Sequence, residues 1–528
     1  MQYNSWLYLL AFLGVTVLCY YLAPLRLRWT VLLGASAVFY WISCGWLLCV
    51  LPLTALGVYL LALRMERVKE SGRAAAAALP REERRLLRER TQRQTGRLLA
   101  LTAAGAFGVL FFTKYFNFAA VNLNALLAAL RVPARIPGLH LLMPLGISFY
   151  TLSAVSYAAD VAHGVCPAQR NYGKLLAFLL FFPVITEGPV SRYGQLAPQI
   201  SRGNRFDCRT FAFGVQLILW GLFQKVVLAD RLDRYVGNIF DHYRSYSGIV
   251  TALTAVLYTF QIYMDFSGCV DIARGSAELF GIHLAENFRR PFFANSVNDF
   301  WRRWHITLGA WLRDYIFYPL SMSRGFQRLS RWSRKYLGAY YAAAVPALFA
   351  LLAVWLGNGI WHGAAWKYIV YGLYYYAITA LGMLLEPVFL RLLPALGLSR
   401  EQRGYRIFQI LRTFVLVNVG MVIFRADSLP AAAFMLRSVF RPYRGGSLAG
   451  VLAAQGLPLG QAAIAAAGAA VVFAVSLLRE RGVCLREAVA RRPIPVRWAV
   501  YFAALLAVLI AGAYGPGFGS VDFIYAQF

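Results

Sequence analysis

Acidic residues are scarce in this chain: its 528 residues hold 23 Asp and Glu against 53 Lys and Arg, and charged residues of both signs reach only 14%. So thin a charged complement excludes an ordinary water-soluble domain, in which about a quarter of the residues are charged. The seven cysteines (Cys19, Cys44, Cys49, Cys166, Cys208, Cys269 and Cys484) form no Cys-x-x-Cys pair and no Cys/His ligand spacing. That absence argues against a metal centre or a disulfide scaffold and leaves them to packing. No internal repeat is visible, which excludes a solenoid. The first apolar run, Trp6 to Tyr21, lacks the basic flank and small-residue cleavage site of a removable signal and reads as a retained helix.

What is present is apolar sequence. Hydrophobic residues make up 59% of the chain and the mean hydropathy is +0.55. Run after run approaches the roughly 20 residues needed to span hydrocarbon. The expected fold class is an all-α polytopic membrane protein. A net charge of +30 would suit nucleic acid, but the cations are parcelled into short loops between apolar spans. That is the positive-inside pattern, so the expected partner is the lipid bilayer, with no nucleic acid.

Arg26-Leu-Arg28 follows the first run, and Thr30–Leu63 is long enough for two crossings before the basic segment Arg64–Arg97. Placing both basic loops in the cytoplasm puts the N-terminus outside after three crossings. Arg64–Arg97, with Arg-Glu-Glu-Arg-Arg at 81–85, reads as a solvated helix laddered by opposite charges. Further apolar stretches lie near Leu99–Phe118, Leu141–Ala159, Leu175–Ile185, Phe211–Leu228, Ile249–Tyr263, Tyr340–Trp355, Lys367–Leu385, Ile407–Phe424, Ala462–Leu478 and Val496–Ala513. Phe181-Phe-Pro183 and Glu187-Gly-Pro-Val190 put helix breakers at membrane depth, which is tolerated where protein or water covers the freed backbone, so re-entrant segments are expected there. A last basic loop around Arg479–Arg497 and one more helix return the C-terminus to the outside. The organisation expected is N-terminal helices with a basic cytoplasmic segment over 1–98, a central core over 99–445, and C-terminal helices with an extracytoplasmic tail over 446–528.

Two of the six histidines sit in apolar surroundings, where a titratable side chain is costly enough to suggest function. His305 lies in Asp299-Phe-Trp-Arg-Arg-Trp-His-Ile-Thr-Leu-Gly-Ala-Trp-Leu-Arg-Asp314. On one continuous helix Trp301, Trp304, His305, Leu308 and Leu312 share a face. Arg302, Arg303 and Arg313 then project elsewhere, and Asp299 can pair with Arg302 or Arg303 three or four residues on. His362 lies in Gly357-Asn358-Gly-Ile-Trp361-His-Gly363, whose small residues let backbones or a long apolar ligand approach closely. A neutral imidazole with an ordinary pKa near 6.5 can take the proton of an attacking hydroxyl. In Tyr263-Met-Asp-Phe-Ser-Gly-Cys-Val-Asp-Ile-Ala-Arg274, Asp271, Arg274 and Glu278 are spaced for an intrahelical ladder. Asp265 has no such partner, and either orients a catalytic group or caps a broken helix.

Taken in order, Asp265-Phe-Ser-Gly268, Asp271-Ile-Ala, Leu279-Phe-Gly-Ile282, Asn287-Phe, Phe300-Trp-Arg-Arg-Trp-His-Ile-Thr-Leu, Trp311-Leu-Arg-Asp-Tyr and Trp361-His-Gly resemble the membrane-bound O-acyltransferases. The resemblance is to the bacterial branch of alginate O-acetylation and lipoteichoic-acid D-alanylation proteins, and its motifs cover roughly 140–370. It implies a helical bundle with re-entrant helices around a central tunnel and about 11–13 membrane segments. It also implies His362 as the catalytic histidine, His305 as the second histidine of the branch, and a Gly188-Pro189-Val190-Ser191-Arg192-Tyr193 segment. Leu-Ser-Met-Ser after Pro319 departs from the alginate-type pattern and bears on the acceptor. Phe523-Ile-Tyr-Ala-Gln-Phe528 is similar to the branch's C-terminal signature, whose tyrosine is thought to accept the acyl group. Tyr525 is therefore either an acyl relay or an interfacial aromatic anchor.

The resemblance thus implies an enzyme that moves a short acyl group, acetyl first, from a cytoplasmic thioester to a hydroxyl of an exported polysaccharide or wall polymer. Acetyl-CoA or an acyl carrier protein would be the donor, with no bound cofactor and no metal. Asp265, Arg302, Arg303, Asn358, Trp304 and Trp361 are supporting or donor-binding candidates, and an extracytoplasmic SGNH-type acyltransferase is an expected partner. The alternatives are D-alanyl transfer from a carrier protein to teichoic acid, a transporter or flippase with proton-relay histidines, and a scaffolding membrane subunit.

Overall fold

The computed structural model describes residues 1–514, and every regular element among them is a helix. Nine of the helical segments are long and apolar enough to cross a membrane, from Leu25–Ala77 to Ile494–Ala511, and Leu7–Leu22 is a shorter apolar helix. This is a multi-pass, all-α membrane protein. Only such a fold satisfies its backbone polar groups inside each apolar segment.

The described residues form two compact units, one of Met1–Gly214 with Ser276–Ala285, the other of Val215–Gly275 with 286–514. In the first unit the apolar block 30–63 divides at Gly45, whose φ of 58° ends the helix Arg28–Cys44 before Val50–Ala77 begins. The basic segment 64–97 is not one helix but two, Val50–Ala77 and Arg81–Leu110, parted at residues 78–80 and packed against each other. The breakers at 181–190 do interrupt the helices: Tyr172–Leu180 stops at Phe181, and a single turn, Phe182–Ile185, follows. The freed groups are covered, as the cost of bare backbone at depth requires. The Ser36 hydroxyl accepts from the Phe182 N–H at 3.0 Å, and the Tyr3 hydroxyl donates to the Phe182 carbonyl at 2.5 Å.

The second unit differs from the sequence expectations in two places that matter for function. The apolar run 249–263 is the start of a 31-residue helix, Gly248–Glu278, so Asp265 lies mid-helix and caps nothing. The segment 301–312 is not one helix. Val297–Arg303 ends at Trp304, and Ile306–Leu312 begins after His305, whose φ of 47° puts it in the left-handed region. The face shared by Trp301, Trp304, His305, Leu308 and Leu312 is therefore overturned. A single left-handed, non-glycine residue resets the direction of the chain, and such a conformation persists only where the surroundings fix it.

Candidate active site

His305, His362, Trp361, Asn287, Asp265 and Lys225 belong to the second unit. The sequence following Asn287 pairs with the interrupted helix: the Arg289 N–H donates to the Arg303 carbonyl at 2.8 Å, and the Ile306 N–H donates to the Asn287 carbonyl at 3.0 Å. These bonds hold the turn that makes His305 left-handed. The Asn287 side-chain oxygen then accepts from the Thr307 N–H at 3.1 Å and the Thr307 hydroxyl at 2.9 Å, and lies 3.3 Å from His305 Nδ1. An amide oxygen can only accept, so Nδ1 carries the proton and Nε2 is left as the basic nitrogen. His305 is 3% exposed, and burial pushes its imidazole down to about 3 from the ordinary 6.5. Its neutral form holds at physiological pH.

His362 closes the helix Ala339–His362 and is also 3% exposed. The two imidazoles share one indole: His305 lies 5.5 Å and His362 5.1 Å from Trp361, ring centre to ring centre. Phe266 meets His305 edge-on at 4.8 Å, and Tyr371 and Phe424 meet His362 at 5.7 and 5.2 Å. Trp304 and Asn358 are buried, the latter one turn before His362. Such an aromatic enclosure puts both imidazoles in a low-dielectric setting, where developing charge interacts strongly with nearby dipoles.

The small residues around His362 serve helix packing. A Cβ on Gly359 would strike the Tyr368 carbonyl, one on Gly363 the Tyr368 ring, and one on Gly372 the Trp355 carbonyl. Ala339–His362 and Trp366–Ala395 thus approach backbone to backbone beside the histidine, as small residues allow. The space is taken by protein, which removes the reading of Gly359 and Gly363 as room for an acyl chain.

Asp265 does have a partner. Lys225 Nζ lies 2.6 Å from Asp265 and 2.8 Å from Asp230, with the lysine side chain 2% exposed. Lys225 sits in a π-helical stretch, Phe223–Ala229. The two helices can come this close because Gly221 and Gly268 face each other: a Cβ on Gly221 would lie 2.5 Å from the Gly268 carbonyl oxygen. Sequence reasoning missed this pair although both signals were present. A lone lysine in the apolar run Phe211–Leu228 needs an acid, and a lone aspartate needs a base. Asp271 pairs with Arg274 at 2.9 Å as expected.

Arg303 reaches Asp299 at 3.1 Å and Glu480 at 3.2 Å, and Arg290 joins Glu480 at 3.2 Å. That network commits Arg303 to structure and leaves it poorly suited to hold a donor. Arg302 is exposed, and Tyr525 lies outside the described residues. No group of three or more His, Cys, Asp or Glu side chains able to hold a metal is found among the described residues.

Residues 168–415 match the family model described as MBOAT, membrane-bound O-acyltransferase family. The chain is 34% identical over 447 residues, 83% of its length and 78% of the relative's, to a protein of Azotobacter vinelandii named probable alginate O-acetylase. It is 31% identical to the peptidoglycan O-acetyltransferase of Helicobacter pylori, over 63% of this chain and 62% of the relative. With the teichoic acid D-alanyltransferase of Bacillus subtilis it shares 30% identity over 45% of its own length and 58% of the relative's. With the buried imidazole pair, these matches make the chain a member of the membrane-bound O-acyltransferase family and an O-acyltransferase.

Proposed function

We propose that the enzyme transfers an acetyl group from a cytoplasmic thioester, acetyl-CoA or an acylated carrier protein, to a hydroxyl of an extracytoplasmic polysaccharide or cell-wall polymer. The observation that carries this reading is the pair of buried imidazoles on the single indole of Trp361. His362 acts as the base. It takes the hydroxyl proton as the hydroxyl oxygen bonds to the thioester carbonyl carbon; the C–S bond then breaks, and the proton passes to the departing thiolate. His305, held by Asn287, orients the reacting groups through Nε2. A thioester is already activated, so alignment, a base and stabilisation of the oxyanion suffice for this chemistry. The breadth of the relatives' matches supports acetyl over D-alanyl: 83% of the chain aligns with the alginate-type relative and 45% with the D-alanyltransferase.

Tyr525 is the proposed carrier of the acyl group to the outer face, where an SGNH-type acyltransferase would receive it. Support comes from where the described chain ends. The Ala513 N–H donates to the Val226 carbonyl at 2.8 Å, next to Lys225. Tyr525 follows eleven residues after Tyr514, a reach of up to about 40 Å for extended chain.

His362→Ala is expected to abolish acetylation of the polymer while protein abundance in the membrane is unchanged. Retained acetylation in that variant refutes the reading. Tyr525→Phe separates relay from anchor: loss of polymer acetylation with intact thioester hydrolysis supports the relay, and normal acetylation makes the tail an anchor.

A further inference from the structure

The helix Arg324–Leu337 carries the densest cationic face in the second unit outside the ion networks already described. Arg324, Arg328, Arg331 and Lys335 recur at spacings of four, three and four, which places them in one stripe about 16 Å long. All four are exposed, as is Arg334. Elsewhere the few carboxylates are used to neutralise arginines: Arg290, Arg303, Arg400 and Arg479 each reach one. No carboxylate pairs with the five cations of this helix among the described residues, and no Asp or Glu occurs in the chain from Tyr315 to Leu385.

The opposite face is occupied. Ser333 is buried, Phe326 and Leu329 are partly covered, and the Ser330 hydroxyl donates to the Ala342 carbonyl at 2.8 Å. The helix therefore lies against the start of Ala339–His362, a segment long and apolar enough to cross the membrane, from which only Gly338 separates it. On the flank between the two faces, Trp332 and Tyr336 stand 51% and 61% exposed with their rings in contact at 5.6 Å. Exposed Trp and Tyr beside a membrane-length helix mark the level where hydrocarbon gives way to headgroups.

We infer that Arg324–Leu337 is an interfacial helix whose cationic stripe binds the phosphates of anionic phospholipids, with Trp332 and Tyr336 seated at the hydrocarbon border. A bilayer surface supplies anions in a row at the height where connectivity fixes this helix, and it matches a stripe that has no acid of its own. An acidic soluble protein is the competing partner, and the test separates the two.

The full-length protein, purified in neutral detergent, is titrated with phosphatidylglycerol and with phosphatidylcholine of the same acyl chains, and retained lipid is counted by native mass spectrometry. The wild type is expected to prefer phosphatidylglycerol, by about fivefold for each engaged cation. The variant R324Q/R328Q/R331Q/K335Q is expected to lose that preference, and R324K/R328K/R331K to keep it, because a lipid surface reads charge. Equal retention by the wild type and the Gln variant overturns the inference. So does a Gln variant that keeps its lipid preference but no longer binds an acidic carrier protein. Should the Gln variant fail to fold, the wild type alone decides. Its preference must collapse near 1 M salt, where the Debye length is about 3 Å, and a preference that survives there refutes the assignment.

Discussion

A single amide decides what His305 can do. Asn287 gathers the Thr307 N–H, the Thr307 hydroxyl and His305 Nδ1 on one oxygen, and so fixes both the turn and the tautomer. Asn287→Leu is expected to lower kcat by about 10²-fold with little change in KM, since His305 loses its orientation and can no longer align the reacting groups. Asn287→Asp keeps an acceptor oxygen and restores turnover near neutrality, but with a new acid limb. A carboxylate beside Nδ1 favours the imidazolium and raises a pKa that burial otherwise holds near 3. Activity then falls at a higher pH than in the wild type; identical pH profiles for the two would remove Asn287 from this role. The same burial makes His305 a stability term. Its folded pKa lies below the unfolded value of about 6.5, so the unfolded chain binds the extra proton and stability declines as pH falls from 6.5 towards 3. At this scale the sequence was informative about which residues are unusual and silent about how they meet. His305, His362 and Trp361 stand out because imidazole and small residues are rare in apolar runs. The bond from His305 to Asn287 spans 18 positions and follows no helical spacing.

Helix interruptions carry the site, and they were the hardest feature to read. Periodicity across 301–312 fits an amphipathic helix well, because residues on both sides of the break, Trp304, Leu308, Trp311 and Leu312, are buried. Nothing local announces a left-handed histidine, since Gly is the residue that normally fills such a position. The breakers at 181–190 were legible for the converse reason: proline and glycine act locally. The crossing of Gly221 with Gly268 is a nonlocal element feature with a measurable cost. On Gly268 a Cβ would lie 2.8 Å from the Gly221 carbonyl oxygen. Gly268→Ala is expected to part these helices, stretch the Lys225–Asp265 pair and destabilise the fold by about 1–3 kcal/mol, read as a lower thermal midpoint in detergent. An unchanged midpoint would mean that the crossing has slack.

For the whole molecule, composition alone identified an all-α membrane protein, because a chain with 59% hydrophobic residues has few other ways to satisfy its backbone. Hydropathy located most of the long helices and erred at their ends. Tyr340–Trp355 is the apolar stretch, while the helix runs on through the polar Asn358 to His362. From charge asymmetry we expect both termini outside the cell. An epitope ahead of Met1 should be reached by antibody on intact cells, and one inserted near Arg88 only after permeabilisation; the reverse pattern would invert the topology and place the relay tail in the cytoplasm.

Four of the 13 tryptophans, Trp301, Trp304, Trp355 and Trp361, are clustered near the two imidazoles, and Trp301 adds Trp355 and Tyr375 at 5.2 and 4.8 Å. Excitation absorbed anywhere in that cluster can migrate between rings so closely spaced and be emitted from the indole that touches both histidines. The protein therefore carries its own optical reporter, and a ligand that reaches the two imidazoles is expected to change its intrinsic fluorescence without any added dye.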